Sequence, residues 1–345
     1  MYPGLVIPEG YKPALDVLQT EKAIKQIKDY FQNSLARALN LQRVTSPVIV
    51  KSGLGINDDL SGRERPVSFV VAGLSGLKAE IVQSLAKWKR LTLARLKIPP
   101  GEGIYTDMNA VRPDEIPDNL HSIYVDQWDW ERSISPGDRD LGFLRGIVRK
   151  IYSVIRRTEL YVCRNYPVIR PILPPNIHFI HALELEKAYP ERSPEEREDE
   201  ICRSRGAVFI QGIGAPLQNG RPHDVRAPDY DDWITATEKG PGLNGDILVW
   251  FPLLNRAMEI SSMGIRVDPA SLLEQLRLNG TKERASLYFH RRLLEGKLPL
   301  SVGGGIGQSR LCMFFLKKAH IGEVQAGIWD EETIDRCRRK GIFLL

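Results

Sequence analysis

The sequence predicts an α+β fold, a mostly antiparallel sheet flanked by helices, on three observations. Strand-like segments come in neighbouring runs with helical stretches between the groups, whereas parallel βαβ units would alternate one by one. At 345 residues, with 42% hydrophobic and 26% charged side chains, the chain can bury a large core and is too apolar to remain unfolded. No internal repeat or low-complexity tract divides it. The reading is therefore one domain over 15–345 behind a short N-terminal extension, residues 1–14.

Each element has its own signal. Over 15–41, Leu18, Ile24, Ile27, Phe31, Leu35 and Leu39 recur mostly at steps of three or four, the mark of an amphipathic helix, which Thr45, Ser46 and Pro47 would stop. Val48, Ile49 and Val50 read as a short strand, and the Gly- and Asp-rich stretch 51–62 propagates neither structure. Strands are expected over 67–71, 81–83, 104–112, 122–131, 207–211, 245–251, 258–262 and 301–302. Helices are expected over 85–96, 141–165, 193–205, 269–278, 282–294 and 306–318. Within ERSPEEREDE, Ser193 and Glu196 form a capping-box pattern at a solvated helix start. The residues past Gly322 carry no evident chemistry.

Composition removes several function classes. Lys plus Arg number 48 against 43 Asp plus Glu, a net charge of +5, and the excess is spread through the chain, which is a poor footprint for nucleic acid. Cys163, Cys202, Cys312 and Cys337 lack metal-type spacing and suit a reducing compartment. The first thirteen residues hold three prolines and no signal-peptide pattern, and no apolar run approaches the ~18 residues of a membrane span, so a cytoplasmic protein is expected. The absence of HExxH, GxSxG and GxxxxGK[ST] argues against a zinc hydrolase, a serine hydrolase of that type and a P-loop enzyme.

Other clusters point to a site. In SIYVDQWDWER (122–132), a period of two sets Ile123, Val125, Gln127 and Asp129 on one face and Tyr124, Asp126, Trp128 and Trp130 on the other. The Gln and Asp at the end of that face mark either a strand emerging into solvent or a binding site. Asp246 opens one apolar strand and Glu259 sits in the next; paired strands would bring together two hard oxygen donors, suited to Mg²⁺ on a phosphate substrate, although both could simply mark strand ends. GGGIGQSR (303–310) reads as a Gly-rich entry to a helix whose N–H groups a flat or anionic ligand can approach, with Arg310 on the first turn to stack on a purine. Arg112, where a strand gives way to Pro113, can clamp a phosphate. The run HDVRAPDYDDW (223–233) is either an Asp-rich turn or a place to bind an amine.

With LAKWKR (85–90), GEGIYTDMNAVRPDE (101–115), GLNGDILVW (242–250) and SSMGIRVD (261–268), these blocks span roughly 20–335 in one order. The sequence resembles the ammonia-dependent asparagine synthetases, or aspartate-ammonia ligases, whose catalytic domain has the class II aminoacyl-tRNA synthetase fold. The resemblance implies an ATP-dependent ligase that joins L-aspartate and ammonia through β-aspartyl-AMP and releases AMP and pyrophosphate. It further implies Mg²⁺ as cofactor and a homodimer formed through the first helix and the strand after Pro47. A membrane partner is not expected. The rivals are an aspartyl- or asparaginyl-tRNA synthetase-like protein and a non-catalytic regulatory paralogue. A tRNA partner is not expected, because a core of roughly 300 residues leaves no room for an anticodon-reading domain.

The resemblance also implies residue roles. Arg112, Asp246, Glu259, Gly305 and Arg310 would meet ATP, with Asp246 and Glu259 also holding the metal. Gln127, Asp129 and Asp231 would face the α-amino group of aspartate, Lys89 and Arg266 its carboxylates, and Ser84 and Ser262 would add hydrogen bonds. Arg112 and Arg310 would act in catalysis with Asp58, which lies near the substrate carboxylate with Asp59 beside it. Lys87 is the alternative to Lys89, since helix geometry turns residues two apart to different sides and only one of them should point inward. Glu259 and Arg266, seven apart, share a strand face only if a bulge intervenes, expected at Gly264.

Overall fold

The computed structural model describes residues 4–58, 60 and 64–345. Helix α1 (Val17–Leu39) starts at a capping box: Asp16 accepts from the Gln19 N–H and Gln19 returns the bond. It ends at Asn40, whose φ of 56° turns the chain left-handed, five residues before the expected stop. Ala23, Ile24, Ile27, Phe31, Leu35 and Leu39 form the buried stripe. Leu18, expected in it, is 74% exposed; Thr20 takes the inward place in the first turn.

Strand β1 (Leu41–Arg43) follows, then a small antiparallel sheet in the order β2-β4-β3, made of β2 (Ile49–Lys51), β3 (Ser68–Val71) and β4 (Leu77–Ile81). β4 ends where the strand expected over 81–83 was to begin. Next come α2 (Ala86–Leu96), β5 (Gly103–Val111), β6 (Tyr124–Ser133) and α3 (Leu141–Asn165), then β7 (His178–His181), α4 (Ala182–Ala188), α5 (Pro194–Arg205) and β8 (Ala207–Gln211). The Ser193 and Glu196 capping box forms as expected. A two-residue pairing of β9 (Ala236–Thr237) with β10 (Gly240–Pro241) precedes β11 (Asn244–Phe251), β12 (Arg256–Ile265) and α6 (Pro269–Leu278). The helix expected over 282–294 is broken at Leu287, which is extended between a 3₁₀ turn, Lys282–Ser286, and α7 (Tyr288–Leu294). The chain closes with β13 (Ser301–Gly307), α8 (Gln308–Leu316) and α9 (Glu331–Arg339).

The main sheet runs β1-β5-β6-β13-β12-β11-β8-β7. It is antiparallel throughout its centre and carries one parallel pair at each edge, β1 with β5 and β7 with β8. One face packs on α1, α3 and α8. There Trp128 and Trp130 are fully buried, with Phe31 of α1 4.6 Å from the Trp128 ring. The alternation read in β6 therefore holds, but its apolar side is the tryptophan side; Gln127, Asp129 and Glu131 point to the opposite face.

Two local features create room and direction on that opposite face. The glycines at 303, 304, 305 and 307 lie inside β13, paired to β6 and β12, and α8 begins only at Gln308. They are not a helix-entry anion nest. A Cβ at Gly305 would run into Gln127 Oε1 and come within 2.8 Å of Asp129 Oδ1, and one at Gly303 would sit 2.6 Å from Arg266 Nη2, so their missing side chains leave space for the polar groups of the neighbouring strands. The second feature is the bulge in β12. Ile247 pairs with Ser261 but Leu248 with Glu259, leaving Ile260 extra, while the register is regular through Gly264. The bulge brings Glu259 and Arg266 to one face, four residues earlier than expected.

The N-terminal segment is tied down by hydrogen bonds. Asn119 exchanges two of them with the Val6 backbone, and the Tyr11 hydroxyl reaches Glu323 at 3.0 Å.

Candidate active site

The open face of the sheet, with α2 along one side, forms a cleft of about 500 Å³, within the usual range for small-molecule sites. Asp58, Ser84, Lys89, Arg112, Gln127, Asp129, Asp231, Glu259, Ser262, Gly305, Arg266 and Arg310 all line it. Of the expected residues, Asp246 alone does not.

The closed end is a lattice of buried, paired charges. Lys89 Nζ lies 2.9 Å from Asp129 Oδ2 and donates to the Gly304 carbonyl at 2.9 Å. Arg266 makes a two-pronged contact with Glu131, Nη2 to Oε2 at 2.8 Å and Nε to Oε1 at 3.0 Å, while its Nη1 pairs with Asp231. Ser301 Oγ donates to Glu131 at 2.7 Å, and the Tyr230 ring lies 5.7 Å from the Arg266 guanidinium carbon. Burial pushes the Lys89 ammonium down, Asp129 opposing, and pushes the Asp231 carboxyl up, Arg266 opposing. Although burial acts upward on Glu131, Arg266 holds it below the usual carboxylate range. Among the described residues Asp129 Oδ1 is buried over Gly305 without a hydrogen-bond partner, so an acceptor at the cleft floor is left for an N–H donor.

The open end carries charges with looser ties. Arg112 stands just past β5; its Nη2 reaches the Gln83 carbonyl at 3.4 Å, and among the described residues it has no carboxylate partner. Arg310, in the first turn of α8, donates to the Glu259 carbonyl at 3.1 Å and faces the Glu259 carboxylate at 3.5 Å. Asp246 lies behind the lining, pairs with Arg226, and is pushed up to about 7 by burial and by the nearby Glu259 charge, with Arg226 opposing. Arg226 also pairs with Asp224 and lines the cleft itself.

The donor set suits a divalent cation carried on phosphate. Among the described residues Asp246 Oδ1 is buried without a hydrogen-bond partner, and Glu259 adds a second carboxylate. No cluster of three metal-binding side chains occurs among the described residues, and Mg²⁺ bound through one or two carboxylates plus phosphate oxygens needs none.

Asp58, 2% exposed, lines the cleft with Lys87 Nζ 3.8 Å away. Asp59 lies outside the described residues. Both Lys87 and Lys89 are buried, contrary to the expectation that one would point outward, and only Lys89 lines the cleft. The first turn of α2 is covered on two sides, by the sheet at Lys89 and by Asp229 at Lys87.

Glu131, Arg226 and Gln325 complete the cleft or its support without having been foreseen. Glu131 continues the Gln127 and Asp129 face by one more step of two, a signal the alternation contained. Arg226 was noticed only as part of an Asp-rich run. Gln325 belongs to the segment past Gly322 read as chemically silent, yet its Nε2 meets Ser309 Oγ at 3.1 Å and Asp126 Oδ1 at 3.3 Å.

Comparison with known proteins identifies the fold and the family. In fold, the chain is similar to asparaginyl-tRNA synthetase of Entamoeba histolytica in complex with asparaginyl-adenylate (TM-score 0.63, 16% identity, 90% of this chain and 66% of that one). It is similar in the same way to the Pyrococcus horikoshii asparaginyl-tRNA synthetase complexed with asparaginyl-adenylate (TM-score 0.63, 16% identity, 89% and 68%). These likenesses identify the class II aminoacyl-tRNA synthetase fold. In sequence, the chain is 58% identical over 342 residues to aspartate–ammonia ligase of Parabacteroides distasonis, and 55% identical over 341 residues to that of Clostridium perfringens, with 99% of each chain covered in both cases. Residues 18–341 match the family model described as aspartate-ammonia ligase, and the chain belongs to that family.

Proposed function

We propose that the cleft makes asparagine from aspartate, ATP and ammonia in two steps. Aspartate sits at the closed end, its α-amino group toward Asp129, Asp231 and Gln127, its carboxylates toward Lys89 and Arg266, with Ser84 and Ser262 adding hydrogen bonds. The observation that carries this reading is the pairing of opposite charges there, Lys89 with Asp129 and Arg266 with Asp231. A zwitterion presents the same two signs, and each can be met without leaving a buried charge alone.

In the first step an oxygen of the β-carboxylate attacks the α-phosphorus of ATP. The bond from that phosphorus to the bridging oxygen breaks, and pyrophosphate leaves with the electron pair. Arg112 meets the charge building on the α-phosphoryl oxygens, and Arg310 covers the adenine. Asp246 and Glu259 would hold Mg²⁺, which when bound would neutralise phosphate charge.

In the second step ammonium gives a proton to Asp58, and the freed lone pair attacks the β-carbonyl carbon. The carbon–oxygen bond to AMP breaks with its electrons going to AMP, and the nitrogen sheds a further proton to become the amide. Asp58 is suited to this work by its place in the cleft, where a carboxylate attracts the ammonium it is to deprotonate.

The test is incubation with aspartate, ATP, Mg²⁺ and ammonium while AMP, pyrophosphate and asparagine are followed together. Equal amounts of the three are expected; ADP in place of AMP would overturn adenylation. Asp58→Asn is expected to lower asparagine formation about tenfold more than aspartate-dependent pyrophosphate exchange. Equal losses would remove Asp58 from the second step.

We also infer a homodimer that uses α1 and β2. The small sheet supports it by exposing Ile49 and Phe69 on one of its faces, apolar surface that association would cover. Sedimentation showing a monomer at micromolar concentration would refute it. No helix among the described residues is long and apolar enough to cross a membrane.

A further inference from the structure

Asp246, the metal carboxylate that does not line the cleft, is covered by a side chain that does. Arg226 pairs through Nη2 with Asp246 and through Nη1 with Asp224, and the same Nη1 donates to the Val225 carbonyl at 3.1 Å. Asp224, Val225 and Arg226 face the cleft together. The guanidinium therefore stands between Asp246 and the space that ATP enters. A cation carried on the nucleotide reaches Asp246 only if Arg226 gives way.

The build of this segment suits such a movement. Its base is fixed: an added Cβ at Gly214 would stand 3.1 Å from the Arg226 Cβ, and the next residue, Ala227, is buried with its carbonyl accepting from Trp233 Nε1 at 3.2 Å. Its head is fixed on one side only. Of the two carboxylates it bridges, Asp246 is buried, whereas Asp224 keeps a side-chain exposure of 62%, so the contact with Asp224 can follow the guanidinium outward. Rotation along the arginine stem turns the head without moving Cβ.

Charge sets the direction. Asp246 and Glu259 repel each other when both are ionised, and the positive charge of Arg226 relieves that repulsion as a metal ion would. Beside a divalent cation on those two carboxylates the guanidinium is repelled in its turn, and the β- and γ-phosphates offer its fork of donors a new set of anionic oxygens. We propose that Arg226 is a further ATP-binding residue that works by exchange: it holds Asp246 until that carboxylate goes to the nucleotide's divalent cation, and then turns to the two phosphates that leave as pyrophosphate. The inference rests on the reading of Asp246 and Glu259 as the metal pair given above.

Its test uses Mn²⁺ as the probe and reads binding as well as rate. In Arg226→Gln the competing charge is gone. Binding of Mn²⁺ to the nucleotide-free enzyme, followed through the electron paramagnetic resonance of the free ion, is expected to tighten about tenfold, within the usual range of coupling free energies. KM for ATP in pyrophosphate exchange is expected to rise about tenfold in the same variant, as the loss of one charge-assisted contact would give. Opposite signs mark an exchange, because damage to the fold would weaken both. Mn²⁺ binding that is unchanged or weaker, or a KM for ATP within about twofold of the parent, overturns the inference. If Arg226→Gln does not fold, Arg226→Lys is read instead. A single ammonium cannot bridge two carboxylates as a fork does, so tighter Mn²⁺ binding with a higher KM for ATP supports the proposal and any other pair of results overturns it. Asp246→Asn is measured beside them. If it leaves Mn²⁺ binding at the parent's value, the reading of the metal pair falls and this inference with it; if it weakens binding while Arg226→Gln does not tighten it, only the inference falls.

Discussion

The two ends of the cleft hold their charges in opposite ways. At the closed end Lys89, Asp129, Glu131, Asp231 and Arg266 are all buried and each has an oppositely charged partner. Lys89 stands on α2, Asp129 and Glu131 on β6, and Arg266 just past β12 with its backbone bridged to that of Asp231, so their rotamers are fixed by packing. At the open end Arg112 is held by one long hydrogen bond, and Arg310 and Glu259 keep side-chain exposures of 23% and 43%. A small rigid zwitterion is best recognised by groups that do not move, because each preorganised contact is made without further loss of freedom. A triphosphate brings its own charge, and a guanidinium lacking a carboxylate partner meets it at full strength. Fold stability and aspartate recognition should therefore be joined at one end and separate from catalysis at the other.

Arg266→Met is the severest way to break this contrast. It strands Glu131 and Asp231 in the interior, where removing one member of a buried pair costs about 3–5 kcal/mol. Denaturant unfolding is expected to show that loss, with asparagine formation at background. Stability within about 1 kcal/mol of the parent would mean that the closed end is not the rigid lattice inferred from its ion pairs.

Arg112→Ala tests the other half. Pyrophosphate exchange should fall about 10²–10³-fold, as when one preorganised donor to a developing charge is lost. The unfolding midpoint should stay where it was, because no ion pair among the described residues is broken. A large fall in stability would show the two ends to be alike.

Gly305→Ala sharpens the contrast within the closed end. The new methyl displaces Gln127 and presses on Asp129 without removing a charge. KM for aspartate is expected to rise about tenfold, since even small misplacement of positioning groups is costly, while KM for ATP changes little. Titration of initial rates against each substrate in turn decides it.

The legibility of these features in the sequence follows the range of the interaction that creates them. Period-two alternation is local, and it put Gln127 and Asp129 together and would have carried on to Glu131. Capping chemistry is local too, and Ser193 with Glu196 fixed the start of α5. The bulge at Ile260 is not local: it depends on how β12 registers against β11, and the bare chain suggested Gly264 because glycine is the usual clue. Gly264 has a different cause, for a Cβ there would lie 2.6 Å from Asp231 Oδ1. The bare glycine spacing of 303–307 suggested a helix entry for the same reason, because the side chains that press closest on Gly303 and Gly305, namely Glu131, Gln127 and Asp129, belong to β6, more than 170 residues away. Lys87 shows the limit of helix geometry, which gives direction but not what covers each side. Arg226 reaches Asp246 by tertiary placement alone. Assigning roles to the polar residues depended on family resemblance, since spacing by itself left both the Asp246 and Glu259 pair and the Asp-rich run open to plainer readings.

The mildest variant, Gln325→Ala, asks how far the open end reaches into the C-terminal segment. Its amide ties Ser309, at the start of α8, to Asp126 on β6, and the same Asp126 oxygen accepts from the Ser309 N–H at 3.0 Å. That carboxylate steadies the first turn of the helix that presents Arg310, as negative groups at helix N-termini do. Losing the Gln325 contacts removes one hydrogen bond to the Ser309 hydroxyl and one to the Asp126 carboxylate, about 2–4 kcal/mol together, while Lys28 at 3.1 Å and the Ser309 N–H still hold Asp126 in place. Arg310 is then displaced little. KM for ATP is expected to rise about two- to fivefold, in line with about 1 kcal/mol of binding, with KM for aspartate unchanged. A rise for aspartate of the same size would mean that the two ends are coupled through β6, and that the apparent division between a rigid and an adjustable half belongs to one continuous unit.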